Sequence, residues 1–333
     1  FNSTRRVRKA VWDAAPDVFE RLSPYLDSHK SPCFRDAQRP SQIKCLPYFS
    51  ITGVSKCGTT DIYNKMIKLP GFQRVRIKGP HFWDQDHRTT TEYLALYDKL
   101  AIRTQDVACD ASTATFSISP FGVRGHRSPK VSMAEVLKAV QPQSKVVVMV
   151  RNPVDRMYSA YYYYGCGYGA PGSVFSPQKF HNLASRSVRL LKECLQTKSD
   201  RECVGSLYFK AEQLVKGMYA ASLPDWLEHY DSESFLMFRT EDYQKDGRGY
   251  MLRVLDFIGM ERPDDETLDA ALEGHYNEGN RKRDDVTGCD SQRKPMLPET
   301  RAMLEDFYKP HNARLARLMG DDRYLWEPAS AGV

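Results

Sequence analysis

Residues 47–68 read PYFSITGVSKCGTTDIYNKMIK, and this stretch contains the pattern that decides the fold. Residues 48–52 are mostly β-branched or aromatic and predict a short buried strand, and the apolar residues within 62–67 recur at helical spacing. Gly53 and Gly58 bound a tight loop between the two. Such a loop forms an anion site, because glycines allow close backbone approach and the first N–H groups of a helix favour negative charge.

The position of the lysine separates this loop from that of a nucleoside triphosphatase. The spacing Gly53-x4-Gly58 is that of a P-loop, in which the lysine follows the second glycine and reaches the β and γ phosphates. Here Thr59 has that position and Lys56 lies inside the loop. We therefore predict a loop that holds a phosphate-like group without hydrolysing ATP. The alternative is a glycine-rich turn with a solvated lysine.

A second strand-to-helix junction follows about ninety residues later. Residues 145–150 (KVVVMV) are the most continuous apolar run and predict a central parallel strand buried on both faces. Asn152 can cap a helix, and Pro153 suits its first position. A strand of this kind in a kinase or ATPase would end in a magnesium-binding aspartate. This one ends in Arg151, which favours a cation facing an anion.

The two junctions resemble the cofactor-binding elements of Golgi carbohydrate sulfotransferases. The loop is similar to their 5′-phosphosulfate loop, and residues 151–159 (RNPVDRMYS) are similar to their 3′-phosphate element. The resemblance implies an α/β, P-loop-like sulfotransferase fold with a central, mainly parallel sheet flanked by helices. It also implies an enzyme that uses 3′-phosphoadenylyl sulfate and requires no metal. The residues assigned to this co-substrate are Ser55, Lys56, Cys57, Gly58, Thr59, Thr60, Arg151, Ser159 and, in a basic lid, Arg281, Lys282 and Arg283.

Residues 73–78 alternate with period two, which predicts a strand with Arg74, Arg76 and Lys78 on one face. Three cations on one face suit an acidic substrate. For Arg74 and Arg76 the alternative is a solvated edge.

The next stretch, KGPHFWD at residues 78–84, concerns the general base. It is similar to the Lys-Glu-Pro-His-Phe-Phe-Asp of heparan sulfate sulfotransferases, whose glutamate is the base, but Gly79 stands at the glutamate position. His81 is our first candidate, because a neutral imidazole accepts protons near neutral pH. A carboxylate from elsewhere is the rival. We assign Lys56 and His81 as catalytic residues, and Lys78, His81, Asp84 and Arg76 as substrate-binding residues.

Within the family, residues 54–72 and 78–84 resemble most the enzymes that sulfate C6 of N-acetylgalactosamine 4-sulfate in chondroitin or dermatan sulfate. This resemblance implies a type II Golgi membrane glycoprotein, of which the chain is the luminal part, with the membrane segment outside it. It implies an anionic glycosaminoglycan acceptor and no nucleic acid partner, and it leaves homo-oligomers open. The alternatives are a heparan sulfate sulfotransferase and a non-catalytic glycan-binding module.

Composition is compatible with this interpretation. The 333 residues are 41% hydrophobic and 27% charged, and the net charge of +6 favours an anionic partner. No apolar run approaches the roughly 18 residues of a membrane span. We predict an approach segment over residues 1–47 and a single sulfotransferase domain over 48–328.

The eight cysteines and the sequon at Asn2 favour the secretory pathway, because disulfides persist in oxidising compartments. Eight cysteines allow many pairings. Cys194 and Cys203 flank a short polar segment that a disulfide could close, and Cys33 with Cys45 is a weaker second pair.

Overall fold

The computed structural model describes residues 7–118, 122–126, 131–168, 174–274 and 293–326. The strands are β1 (Cys33–Arg35), β2 (Ile43–Cys45), β3 (Phe49–Gly53), β4 (Cys109–Asp110), β5 (Lys145–Val150) and β6 (Phe235–Arg239). The helices are α1 (Lys9–Ala14), α2 (Pro16–Phe19), α3 (Thr59–Met66), α4 (Thr90–Ala95), α5 (Met133–Val140), α6 (Pro153–Tyr168), α7 (Pro177–Leu195), α8 (Asp200–Val215), α9 (Tyr219–Leu227), α10 (Thr240–Lys245), α11 (Gly247–Ile258), α12 (Asp265–Leu272) and α13 (Pro298–Met319). Short 3₁₀ helices lie at Asp98–Ala101 and Asp322–Leu325.

The chain divides into two compact units. The first unit comprises Phe1–Val54, Thr59–Met149 and Asp225–Gly274, and the second comprises Ser55–Gly58, Val150–Pro224 and His275–Val333. The predicted single domain over 48–328 stays a prediction.

A four-stranded sheet forms the core of the first unit, in the order β4-β3-β5-β6. β3 is parallel to both β4 and β5. β5 lies between β3 and β6, as the sequence predicted for a buried central strand. Val146 to Val150 of β5 are at most 1% exposed. A separate antiparallel hairpin of β1 and β2 precedes the sheet, and the Cys33–Cys45 disulfide joins its strands, which confirms the weaker predicted pair.

The prediction of a strand over residues 73–78 is wrong. Phe72 forms one parallel bridge with Val107, and the N–H of Gln73 donates to the Val107 carbonyl, but the chain then turns irregularly. β4 has only two residues, so it offers few backbone groups with which this segment could pair as a strand. The period-two pattern therefore reflects the burial of Val75 and the exposure of its arginine neighbours, without a strand.

The second unit is helical. α7 and α8 pack against each other, and α13 packs on α6 and α7. Asn152 begins α6 as predicted, because its side-chain oxygen accepts the Val154 N–H at 3.0 Å. The predicted Cys194–Cys203 disulfide is confirmed and joins the end of α7 to the first turn of α8. None of the helices in the described ranges is both long enough and apolar enough to cross a membrane.

The Cys194–Cys203 bridge gives the first testable prediction. We expect replacement of both cysteines by serine to lower the free energy of unfolding by about 2–3 kcal/mol, because a short loop in the unfolded chain is no longer closed. Urea unfolding of the variant and of the wild-type chain measures the difference. An unchanged midpoint and slope would show that the bridge adds nothing to the capped α7–α8 hairpin.

Candidate active site

The loop between β3 and α3 contains two residues with unusual backbone conformations. Lys56 and Gly58 have left-handed backbones, with φ of +68° and +81°. Gly53 has no room for a side chain, because an added Cβ would lie 2.7 Å from the Cβ of Phe116. The loop runs directly into α3 at Thr59, so the unpaired N–H groups of the first helical turn come immediately after it.

Ser55 carries a polar atom that the protein leaves unsatisfied. The residue is 6% exposed, and its Oγ has no hydrogen-bond partner within the described ranges. A buried hydroxyl without a partner costs about 1–3 kcal/mol, and such groups in native proteins need a reason. An anionic oxygen bound in the loop would supply the missing partner.

The ammonium group of Lys56 lies on an aromatic ring. Its Nζ is 3.4 Å from the centroid of Tyr163, a residue of α6 that is 39% exposed. The face of an aromatic ring attracts a cation without neutralising it. The contact with Tyr163 of α6 therefore restricts the position of the Lys56 ammonium group.

Tyr219 connects the loop with the start of α6. Its hydroxyl donates to the Arg151 carbonyl at 2.8 Å and lies 3.9 Å from the Sγ of Cys57, which is fully buried. Burial raises the pKa of Tyr219 well above its usual value, so the hydroxyl stays protonated and remains a donor. Arg151 and Ser159 are both partly buried, eight residues apart across the first two turns of α6. The second unit thus brings together residues of both predicted cofactor motifs.

In the first unit, His81 is held by a carboxylate. Its Nδ1 lies 2.8 Å from Oδ2 of Asp84, which is 3% exposed, and Oδ1 of Asp84 accepts a hydrogen bond from the Thr115 hydroxyl at 3.1 Å. With Asp84 ionised, Nδ1 is the donor, and the lone pair of a neutral ring is then on Nε2. About a third of the His81 side chain is exposed (31%), so the ring lies at the surface of this cluster.

A second carboxylate supports the backbone of His81, which is left-handed with φ of +54°. The His81 N–H donates to the Ser112 hydroxyl at 2.9 Å, and that hydroxyl donates to Asp110 at 2.6 Å. Asp110 also accepts from the Tyr93 hydroxyl at 2.9 Å. Burial raises the pKa of Asp110, and these donors oppose the rise.

Gly79, at the position of the missing glutamate, is closely packed. An added Cβ would lie 3.0 Å from the Ala111 carbonyl oxygen, and the Ala111 N–H donates to the Lys78 carbonyl. The backbone around Gly79 therefore leaves little room for a side chain such as the glutamate of the heparan sulfate sulfotransferase pattern.

The remaining predicted residues are placed as follows. Lys78 donates to the hydroxyls of Thr60 and Thr59 at 3.1 and 3.4 Å, and Arg76 is exposed. Arg281, Lys282 and Arg283 lie outside the described residues.

Sequence reasoning did not single out Tyr163, Tyr219, Ser112 or Asp110. The run of four tyrosines at 161–164 covers all sides of a helix, so periodicity could not indicate which ring meets Lys56. Residues 107–116, an apolar stretch that leads into polar residues, gave the only sequence signal for Ser112 and Asp110.

Comparison with known proteins identifies the class. Residues 47–287 match the family model described as "Sulfotransferase domain", which is more than half of the chain, so the chain belongs to this family. A sulfotransferase structure from Alicyclobacillus acidocaldarius has a TM-score of 0.57 at 19% identity and covers 84% of this chain and 97% of its own. The predicted fold, a parallel sheet flanked by helices, is confirmed.

Two curated relatives are more specific. Carbohydrate sulfotransferase 15 of Homo sapiens is 28% identical over 324 residues, which are 86% of this chain and 55% of the relative. Heparan sulfate glucosamine 3-O-sulfotransferase 6 of Homo sapiens is 27% identical over 285 residues, covering 83% and 72%. The chain thus spans about half the length of the carbohydrate sulfotransferase 15 sequence that it matches.

The packing at Gly79 gives a second prediction. We expect Gly79→Ala to lower the free energy of unfolding by about 1–3 kcal/mol, because the added methyl group must displace backbone. Gly247→Ala is the matched control, since nothing lies within 4 Å of a Cβ added there. Denaturant unfolding of both variants measures the effect, and equal stabilities would contradict the crowding at Gly79.

Proposed function

We propose that this chain transfers a sulfuryl group from 3′-phosphoadenylyl sulfate to a hydroxyl of a sulfated glycosaminoglycan. The acceptor we propose is C6 of N-acetylgalactosamine 4-sulfate in chondroitin or dermatan sulfate. One observation carries the proposal: Tyr219 contacts both the loop, at Cys57, and the start of the 3′-phosphate element, at Arg151. Similarity to carbohydrate sulfotransferase 15 supports the carbohydrate acceptor.

On the donor side, the co-substrate supplies the sulfuryl group, and the residues of the loop hold its 5′ end. Lys56 and the N–H groups around Gly58 stabilise the negative charge that grows on the leaving phosphate. Ser55 donates its unsatisfied hydroxyl to the same group. Arg151 and Ser159 hold the 3′-phosphate, since a guanidinium and a hydroxyl together suit phosphate oxygens.

On the acceptor side, His81 takes the proton of the attacking hydroxyl at Nε2. Asp84 holds Nδ1 and stabilises the imidazolium that forms, and Thr115 fixes the carboxylate in turn. This mechanism needs no carboxylate side chain at residue 79, where this chain has a glycine.

The proposed location is the lumen of the Golgi. The described residues contain two disulfides, one in each unit, and disulfides persist mainly in oxidising compartments, which supports this location. A luminal enzyme with a net charge of +6 would also meet anionic glycans there.

The reaction is tested by transfer of labelled sulfate from 3′-phosphoadenylyl sulfate to chondroitin sulfates A and C, dermatan sulfate and heparan sulfate. We expect transfer to 4-sulfated chondroitin, and a loss of about 100-fold or more in Lys56→Ala, because one electrostatic contact to the transition state is removed. Transfer only to heparan sulfate would contradict the acceptor and keep the chemistry. Glycan binding without transfer, equal in both proteins, would favour a non-catalytic module.

The base is tested separately. We expect His81→Ala to lower kcat by about 10²–10⁴-fold, with affinity for adenosine 3′,5′-bisphosphate unchanged, because only proton transfer is lost. Asp84→Asn should lower kcat by about ten-fold or more, since an amide can no longer fix the tautomer. His87→Ala, an exposed histidine of the same segment, is the control. Wild-type kcat in His81→Ala would assign the base to another group.

A further inference from the structure

Arg88 lies beside the peptide bond that leads into the candidate base. Its Nε donates to the Pro80 carbonyl oxygen at 2.8 Å, and Pro80 immediately precedes His81. The N–H of the same peptide donates to the Ser112 hydroxyl at 2.9 Å. Because the C=O and N–H groups of a trans peptide point in opposite directions, Arg88 and Ser112 hold this peptide from opposite sides. The bond lengths of the peptide put Nε within about 5 Å of the His81 backbone nitrogen.

The guanidinium of Arg88 has donors that the described residues do not use. A guanidinium offers five N–H donors. Within the described ranges the hydrogen bonding of this partly buried side chain is limited to Nε, so the N–H groups of both terminal nitrogens are left for a ligand. Glu92 senses the charge of Arg88, but its carboxylate is already bonded to the N–H and hydroxyl of Thr89.

Arg124 packs on the same segment and shows the contrasting arrangement. Both of its terminal nitrogens donate to the Asp17 carboxylate of α2. Its Cζ lies 4.2 Å from the centroid of Phe82, and its backbone N–H donates to the Trp83 carbonyl. The charge and the donors of Arg124 are therefore committed to the fold, whereas Arg88 keeps a guanidinium edge that can bind an anion.

The proposed acceptor supplies an anion suited to that edge. C4 and C6 of a hexose are separated only by C5, so a sulfate on O4 lies close to the C6 hydroxyl that His81 would deprotonate. A guanidinium binds two oxygens of such a group through parallel hydrogen bonds. We propose that Arg88 binds the 4-O-sulfate of the acceptor sugar and thereby selects 4-sulfated residues. This inference rests on the proposed function and names the residue that sets its substrate preference.

The experiment compares transfer of labelled sulfate by the wild-type chain and by Arg88→Met. The acceptors are chondroitin 4-sulfate, chondroitin without sulfate, and chondroitin 4-sulfate whose uronate carboxyl groups have been reduced to alcohols. We expect Arg88→Met to lower kcat/KM about ten- to hundred-fold for the two acceptors with a 4-sulfate, because charged hydrogen bonds to the substrate are lost. For unsulfated chondroitin the loss should be at most a few-fold, so the preference for 4-sulfated acceptors falls.

The pattern across the acceptors separates binding from positioning. If Arg88 acted only through the Pro80 carbonyl, its loss would displace His81, and transfer to every acceptor would fall in the same proportion. That result would overturn the proposal. A loss confined to the two acceptors that keep their uronate carboxylates would also overturn it, because Arg88 would then bind the carboxylate of a neighbouring sugar.

Two further variants make the result specific. Arg88→Lys keeps the positive charge without the planar fork, so it should retain part of the preference, and it serves if Arg88→Met does not fold. Arg103→Met removes an exposed arginine of the same unit, whose guanidinium lies 3.6 Å from Asp106. We expect this control to transfer sulfate to all three acceptors as the wild-type chain does.

Binding measurements separate this inference from the proposed function. Calorimetric titration with tetrasaccharides of 4-sulfated and unsulfated chondroitin, in the presence of adenosine 3′,5′-bisphosphate, gives the affinities. Wild-type affinity and wild-type transfer in Arg88→Met would overturn the assignment of Arg88 and leave the proposed function intact. Tighter binding of the 4-sulfated tetrasaccharide that depends on Arg88, without transfer by the wild-type chain, would keep the assignment and reject the reaction. A wild-type chain that neither binds nor sulfates the 4-sulfated glycan would overturn both.

Discussion

The parallel pairing of β3 with β5 is the constraint on which the positions of the proposed donor residues depend. Its hydrogen bonds continue to the end of β3, where the Val54 N–H donates to the Met149 carbonyl at 2.7 Å. Parallel strands end at the same edge of a sheet, so the loop after β3 and Arg151 after β5 both begin at that edge. Tyr219 then contacts both, and a fault in the strand register would separate them.

The partners of the lysine side chains differ between structural and candidate functional positions. Lys65 pairs with Asp61, and Lys216 pairs with Glu212, so each charge has a carboxylate four residues before it. Lys56 lies on an aromatic ring, and Lys78 lies on two hydroxyls. The face of an aromatic ring attracts a cation and a hydroxyl accepts a hydrogen bond from it, so each contact fixes the position of an ammonium group.

The elements that carry the proposed donor residues could be predicted from the sequence because they are local. The loop, β5 and the cap at Asn152 are each specified by neighbouring residues, and the structure confirms those elements. Cys194 and Cys203 were also predictable, since a short polar segment separates them. The long-range partners were not. Tyr219 is more than 160 residues from Cys57, and no periodicity reports a contact of that kind.

Around Lys78, by contrast, a local sequence pattern led to a wrong prediction. Alternation predicted a strand over 73–78, but β4 is too short to pair with one, and the freed backbone turns Lys78 toward α3. The same turn brings Gly79 against Ala111 and places the His81 N–H on Ser112. A side chain at Gly79 would disturb that packing. The absence of a side chain at residue 79 and the support of His81 by Asp84 and Asp110 are therefore parts of one arrangement, which fits the proposal that the imidazole of His81 is the general base.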